Sequence, residues 1–233
     1  MAQNNEEYLN KVQENKKNAG EPIELTDQNF FTIAKERSSV RFYDSEFKID
    51  ESEIREILET AILAPSSSNL QPWRFLVIHN QELQEKLLPI AANQQQVVDS
   101  SAVIAVLGDL EAYKNAEEIY GNLVKIGAIP EETKDFYVNQ INSHYGNLSH
   151  ENAMRVTMID GGLVSMQLML AAKAKGYDTV PMGGFDKDQF IEAFNIPENL
   201  SPVMLIALGK AEKAGFGKNR LPLDEVTTWN TFK

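Results

Sequence analysis

The sequence contains no cysteine. This excludes a disulfide framework, a thiolate metal site and a cysteine nucleophile, and it fits a reducing compartment. Histidine is scarce. His79, His144 and His150 form neither an HExxH arrangement nor an i, i+4 pair, so no metal site is expected. Basic residues are in the minority, 22 Lys+Arg against 34 Asp+Glu, for a net charge of −12. No basic run offsets this, so neither nucleic acid nor anionic membrane is expected as a partner. No apolar run approaches the roughly 18 residues of a membrane span. The first 24 residues are polar and lack the apolar core of a signal peptide. A soluble, cytoplasmic protein is the expectation. Several motifs are missing too. No GxGxxG follows a strand, there is no GxxxxGK[ST] and there is no GxSxG. Gly215-Phe216-Gly217-Lys218 is only a superficial echo of a phosphate loop.

What is present suits one globular unit. At 233 residues and 42% hydrophobic, the chain can bury a large core unaided. Residues 1–25 read as a flexible or peripheral helical extension, and residues 26–233 as a single domain. Thr26 and Asp27 are candidate caps for a helix over Phe30–Glu36. Asp50 with Glu53 resembles a capping box, and Ile54, Ile57, Leu58, Ala61 and Ile62 trace one buried helix face. Pro65 should end that helix. Trp73–Ile78, Ala102–Leu107, Asp178–Met182 and Val203–Leu208 read as strands. Gln81–Ala92 should be a helix interrupted at Pro89. Residues 110–146 suggest two helices about Gly127–Pro130, a natural mobile lid. Glu151 to Lys175 reads as a long helix whose only charge from Val156 to Ala172 is Asp160, so it should be enclosed by protein. Gly176 should terminate it. Asp186 should cap a short helix to Phe194. The tail from Arg220 is polar, yet Val226, Trp229 and Phe232 call for burial, as in a tail that packs on another subunit. The pattern is α+β: a sheet of four or five strands flanked by helices, with a central buried helix.

Three clusters could carry chemistry. Arg37-Ser38-Ser39-Val40-Arg41 places two guanidiniums and two hydroxyls within five residues. In extended chain Arg37, Ser39 and Arg41 share a face and could grip a phosphate. A solvated basic turn is the alternative. Pro65-Ser66-Ser67-Ser68-Asn69-Leu70-Gln71-Pro72-Trp73 joins a helix to a strand and offers donors and acceptors for a polyol or heterocycle. Alone it also reads as a polar turn. Pro181-Met182-Gly183-Gly184 follows a strand, and paired glycines let backbone N–H groups approach a ligand. Lys218 and Arg220 could be a second phosphate clamp or a solubilising loop.

Taken in order, RSSVR, APSSSNLQPW, PMGGFD and NRLPLDEV resemble the FMN-dependent nitroreductase family, over roughly Phe30 to Phe232. The resemblance implies an intertwined α+β homodimer with two interfacial FMN sites, each built from both subunits. It implies that Arg37, Ser38, Ser39, Lys218 and Arg220 surround the FMN phosphate, and that Arg41, Asn93 and Gln96 face the pyrimidine edge. Pro65, Ser66, Ser67 and Asn69 would come from the partner chain, with Gln71 as loop support. Pro181, Met182, Gly183 and Gly184 would lie against the flavin. No protein nucleophile is implied; the backbone of Gly183 and Gly184 and the Arg41 cation would tune the cofactor. Two departures stand out. Some relatives carry glutamate at Gly183, and lysine often stands at Gln96.

The implied activity passes hydride from NAD(P)H through FMN to nitroaromatic or quinone-like acceptors by a ping-pong scheme. Other FMN enzymes of this fold (dehalogenating, flavin-fragmenting or azoline-oxidising) are the alternative, as is a non-enzymatic flavin-binding protein. Neither a metal nor a macromolecular partner beyond the second copy is implied.

Overall fold

The computed structural model describes residues 2–16, 19–22, 25 and 27–232. Its helices are α1 (Ala2–Lys16), α2 (Phe30–Glu36), α3 (Glu51–Ala61), α4 (Gln81–Ile90), α5 (Gln96–Asp99), α6 (Ala116–Lys125), α7 (Glu131–Tyr145), α8 (His150–Ala174), α9 (Lys187–Ala193) and α10 (Leu223–Val226). The strands are β1 (Trp73–Ile78), β2 (Ala102–Asp109), β3 (Asp178–Met182) and β4 (Leu200–Gly209).

The strands form one sheet in the order β1-β2-β4-β3, with every neighbouring pair antiparallel. β2 is buried at all of its positions, as its unbroken apolar run requires. Its side chains alternate between two cores. Val103, Ala105 and Leu107 face a cluster holding Leu87, Ile90 and Phe190 of α4 and α9. Ala102, Ile104 and Val106 face Ile54 and Ile57 of α3 with Val164 and Leu168 of α8. Period-two alternation thus gives three layers: helices, sheet, helices. Pro89 is accommodated inside α4, which ends one residue later at Ile90.

α8 crosses the sheet at very close range. A Cβ on Gly161 would meet Val203 Cγ1 at 2.8 Å, and one on Gly108 would meet Thr157 Cγ2 at 1.8 Å. Only glycine fits either place. The inner face of α8 is fully buried at Val164, Leu168 and Ala172. Its other face is not enclosed as the sequence suggests: Ile159 is 65% exposed, and Leu163 and Met166 also face solvent in the single chain. Gly176, at φ +81°, turns the chain out of the helix.

Helix entry also departs from expectation. Thr26 lies outside the described residues, and α2 is capped by Asn29, which accepts from Phe31 N at 2.9 Å. Asp27 instead accepts from Asn29 N at 2.7 Å. Asp50 precedes α3 but makes no side-chain capping bond. The capping box fails because Glu53 is engaged elsewhere: it accepts from Tyr177 Oη at 2.7 Å and lies 3.6 Å from Lys175. α3 ends at Ala61, before Pro65.

α6 and α7 flank Gly127, which adopts φ +72°. They close a small separate core of Leu70, Ala112, Ala116, Val138 and Ile141. The N-terminal extension is helical over α1 and docked, with Val12 only 8% exposed. Among the described residues no helix is long and apolar enough to cross a membrane.

Candidate functional site

The segment after α2 runs alongside the outer edge of β3. Arg37 closes α2 by donating its backbone N–H to Ile33 O at 2.8 Å, and the chain then extends. Val40 N donates to Thr179 O at 3.1 Å, and Ser39 forms a parallel bridge with Thr179. Val40 points into the core. The opposite face of the strip, Arg37, Ser39 and Arg41, is left to the surface, as the alternation predicts.

Three cations gather there. Burial, followed by the field of Arg220, lowers the proton affinity of Arg37. Burial also leads the lowering at Lys218; Arg37, Arg220 and Lys173 add to it, while Glu36 opposes them. Arg37, Lys218 and Arg220 therefore sit within one another's fields although the chain folds them from opposite ends. Nε of Arg37 and Nε of Arg41 are buried without a hydrogen-bond partner. Unpaired buried donors beside mutually repelling cations have the chemistry to hold an anion. The 215–220 segment presses closely on the strip. A Cβ on Gly215 would lie 2.7 Å from Ser38 Oγ and 2.8 Å from Ser39 O. The Arg41 guanidinium rests over the Phe216 ring, 5.0 Å from its centroid.

A second wall comes from the turn after α4. Ala92 and Asn93 both take left-handed backbone, at φ 58° and 54°. Such strain suits a turn that presents one exposed amide, here Asn93. Gln94 Nε2 donates to Gly184 O at 3.1 Å, fastening this turn to the paired glycines. Gln96 is buried and donates to Gln94 Oε1 at 3.1 Å and to Met182 Sδ at 3.4 Å. A cavity of about 210 Å3 lies between Arg41, Phe42, Asn93 to Gln96 and the face of α1 carrying Tyr8, Leu9, Val12 and Gln13. Gly183 and Gly184 are exposed, and an added Cβ on either would meet nothing within 4 Å. Pro181 is half-buried beside them. Met182 offers less. Its side chain is buried in the core, so only its backbone can face a ligand.

The serine-rich loop is built differently. Ser68, Asn69 and Gln71 have φ of 49°, 54° and 49°. Ser66 Oγ accepts from Gln71 N at 3.0 Å, and Gln71 Nε2 donates to Asn69 O at 3.1 Å, which makes Gln71 a support within the loop. Asp160 accepts from both Ser67 N and Ser67 Oγ, each at 3.1 Å. α6 and α7 add Tyr120 Oη, donating to Ser68 O at 3.2 Å, and Tyr145 Oη, 3.0 Å from Ser68 Oγ. Pro65 and Asn69 are exposed.

One chain does not bring this loop to the cations. The loop leads into Trp73, which is aligned through Gly108 with Ser201. The Arg37 strip lies beside Thr179, which pairs with Leu208. These points are diagonally opposite corners of the sheet, roughly 25 Å apart at ordinary strand spacings. The chain thus carries two separate polar clusters: a cationic one at the β3 edge and a serine-rich loop at the β1 edge.

Some contributors have faint sequence signals. Asp160 stands out as the only charge between Val156 and Ala172 of α8, yet nothing in the sequence names Ser67 as its partner. Phe216, Gly215 and Gln94 act by contact and have no local signature. Among the described residues no group of three or more His, Asp or Glu could hold a metal ion.

The sequence pattern of the nitroreductase family matches residues 34–210. The chain belongs to the nitroreductase family. A Bacillus subtilis protein named as an NAD(P)H nitroreductase, YodC, is 48% identical over 201 residues, covering 86% of this chain and 98% of that protein. A nitroreductase-named protein of Exiguobacterium sibiricum, solved in complex with FMN, superposes with a TM-score of 0.84 at 47% identity, covering 89% of this chain and 100% of the other. The CLA biosynthesis enone reductase of Lactiplantibacillus plantarum is 30% identical over 190 residues, covering 80% of this chain and 88% of that enzyme. The expected α+β architecture, a sheet between helices, is thus that of a nitroreductase-family chain, and such a chain is an oxidoreductase.

Proposed function

We propose that this chain is an FMN-dependent oxidoreductase that oxidises NAD(P)H and reduces nitroaromatic or quinone-like acceptors, with its active site completed by a second copy. The observation that carries the reading is that Arg37, Lys218 and Arg220 lie within one another's fields while the buried Nε of Arg37 has no hydrogen-bond partner. A phosphate dianion would relieve the repulsion and supply the missing acceptors, so these residues fit the phosphate end of FMN. Ser38 and Ser39 would complete that end. Arg41, with its own free Nε and its seat on Phe216, would meet the pyrimidine edge together with Asn93. Gln96 would act there mainly by holding Gln94 and Met182 in place. Pro65, Ser66, Ser67 and Asn69 would come from the other copy, and the backbone of Pro181 to Gly184 would border the ring.

Bound there, FMN would supply two-electron chemistry between a nicotinamide donor and an acceptor. The protein's part is electrostatic and steric. Arg41 would stabilise negative charge at the pyrimidine edge, a kind of contribution that is often the largest catalytic term. Gly183 and Gly184, without side chains, leave room for a flat ring system to lie against their backbone. α6 and α7 would wall the pocket and select the acceptor. Donor and acceptor would use one place in turn, which gives ping-pong kinetics. The net charge of −12 supports a soluble protein, and a chain without cysteine suits a reducing, cytoplasmic setting.

Two exposed apolar surfaces support the second copy. Ile159, Leu163 and Met166 line an open face of α8, and Trp229 and Phe232 of the tail are 81% and 89% exposed. The likeness to an enone reductase favours one variant of the reading, an acceptor with a conjugated carbonyl.

The test is direct. Purified protein should be yellow, with a flavin spectrum that NADH or NADPH bleaches in the absence of oxygen. Initial rates should give parallel double-reciprocal lines against a quinone. A colourless dimer that ignores added FMN rejects the reading.

A further inference from the structure

The segment ahead of the matched family region is attached to both walls of the proposed cofactor site. On α1 the residues Asn5, Leu9, Val12 and Lys16 recur at i, i+4, i+7 and i+11 and so share one face. That face faces the protein. Asn5 Nδ2 donates to Ala92 O at 2.9 Å. Leu9 and Val12 line the cavity shared with Arg41 and Asn93 to Gln96. Lys16 Nζ pairs with Glu212 at 2.7 Å and lies 5.5 Å over the Phe42 ring. Residues 19–22 continue the attachment, with Ala214 N donating to Gly20 O at 3.0 Å.

Each anchor falls beside a residue that the site needs. Ala92 and Asn93 form the left-handed turn, a conformation that strains an ordinary residue and persists only where surroundings impose it. The bond from Asn5 fixes the carbonyl of the first of these. Phe42 packs edge-on against Phe216 at 6.2 Å, and Phe216 is the seat of Arg41. Gly20 grips the chain next to Gly215, whose backbone presses on Ser38 and Ser39. The apolar part of this face is small, and most of α1's other described side chains are exposed. A helix held by a few polar anchors and one buried valine can lift without unfolding the domain.

We propose that α1 is a retaining strap: it closes the outer side of the subsite formed by Arg41, Asn93 and Gln96, and FMN is released only when the strap lifts. This rests on the proposed flavin function. A gate of this kind changes the rates of entry and exit together, so the informative quantity is the release rate. Val12→Asp would expel the buried contact, and Lys16→Glu would set two carboxylates against each other at Glu212. Neither side chain belongs to the cation cluster.

The experiment uses full-length holoprotein, diluted rapidly while the rise of free FMN fluorescence is followed. Val12→Asp and Lys16→Glu should each release FMN at least about tenfold faster, corresponding to about 1.4 kcal/mol lost from the closed state. The charge exchange Lys16→Glu with Glu212→Lys should return release to within about twofold of the parent chain. Parent-like release from both single variants overturns the strap. So does fast release that the charge exchange leaves uncorrected, since α1 docking would then not be what slows exit. A parent chain that takes up no FMN at all overturns the flavin function itself.

Discussion

Asp160, deep in α8, holds Ser67 by both its backbone N–H and its hydroxyl, each at 3.1 Å, across 93 residues of sequence. The strained loop that offers Ser66, Ser67 and Asn69 is thereby tied to the helix at the centre of the fold.

That tie should be visible in stability. Burial raises the Asp160 carboxyl above its ordinary 3.8, against the two Ser67 bonds that lower it. The folded chain therefore holds this proton more readily than the unfolded chain. The group's contribution to stability falls as pH climbs from 3.8 through the raised folded value. Asp160→Asn should gain on the parent chain across that window in urea titrations at successive pH values. Asp160→Ala, which leaves Ser67 N–H unpaired, should lose about 1–3 kcal/mol. Identical pH profiles for the parent and Asp160→Asn would show that the carboxyl is not perturbed.

The cation cluster predicts discrimination between FMN and riboflavin, which differ by the phosphate alone. Lys218→Ala and Arg220→Ala should each weaken FMN binding about 10- to 100-fold, the range of a charge-assisted hydrogen bond, while riboflavin binding changes little. Calorimetric titration of both ligands checks this. Equal losses for the two would move these residues away from the phosphate.

Gly215 and Gly217 form a matched pair. Alanine at 215 would drive its Cβ against Ser39 O and Ser38 Oγ, and backbone cannot yield cheaply. At 217 there is nothing within 4 Å. Gly215→Ala should cost about 1–3 kcal/mol of stability and lower FMN affinity. Gly217→Ala should stay within about 0.5 kcal/mol. Thermal melts with and without FMN separate the two.

The open face of α8 predicts an assembly defect without a folding defect. Leu163→Glu substitutes a side chain that is 43% exposed in the single chain, so the protomer should remain folded. Sedimentation should nevertheless show monomer, and the monomer should retain little FMN. A dimer that keeps its flavin would place the contact elsewhere.

Much of the framework was legible because each strand is a short apolar run between turn residues, and β1 spans the six residues that the pattern indicates, Trp73–Ile78. The Arg37 strip was legible for a similar reason: alternation settles which side chains share a face. Three matters were not. Whether Asp50 and Glu53 close a capping box depends on competition, and Tyr177, 124 residues away, takes the glutamate. Which face of α8 packs on the sheet is set by distant strands, and its other face stays open in the single chain. The docking of α1 leaves almost no mark, because its inward stripe holds only two apolar residues between an asparagine and a lysine. Local pattern reports periodicity, whereas these outcomes turn on distant partners.

The separation of the cationic strip and the serine loop across the sheet diagonal has a genetic corollary for the proposed function. In the proposed assembly, a chain crippled at Arg37 still lends its serine loop, and a chain crippled at Ser67 still lends its cations. Co-expressed, two such inactive alleles would pair into hybrids in which one crevice receives both lesions and the other receives neither. Complementation between separately dead copies, yielding one working centre per hybrid, is the behaviour that the proposed assembly predicts.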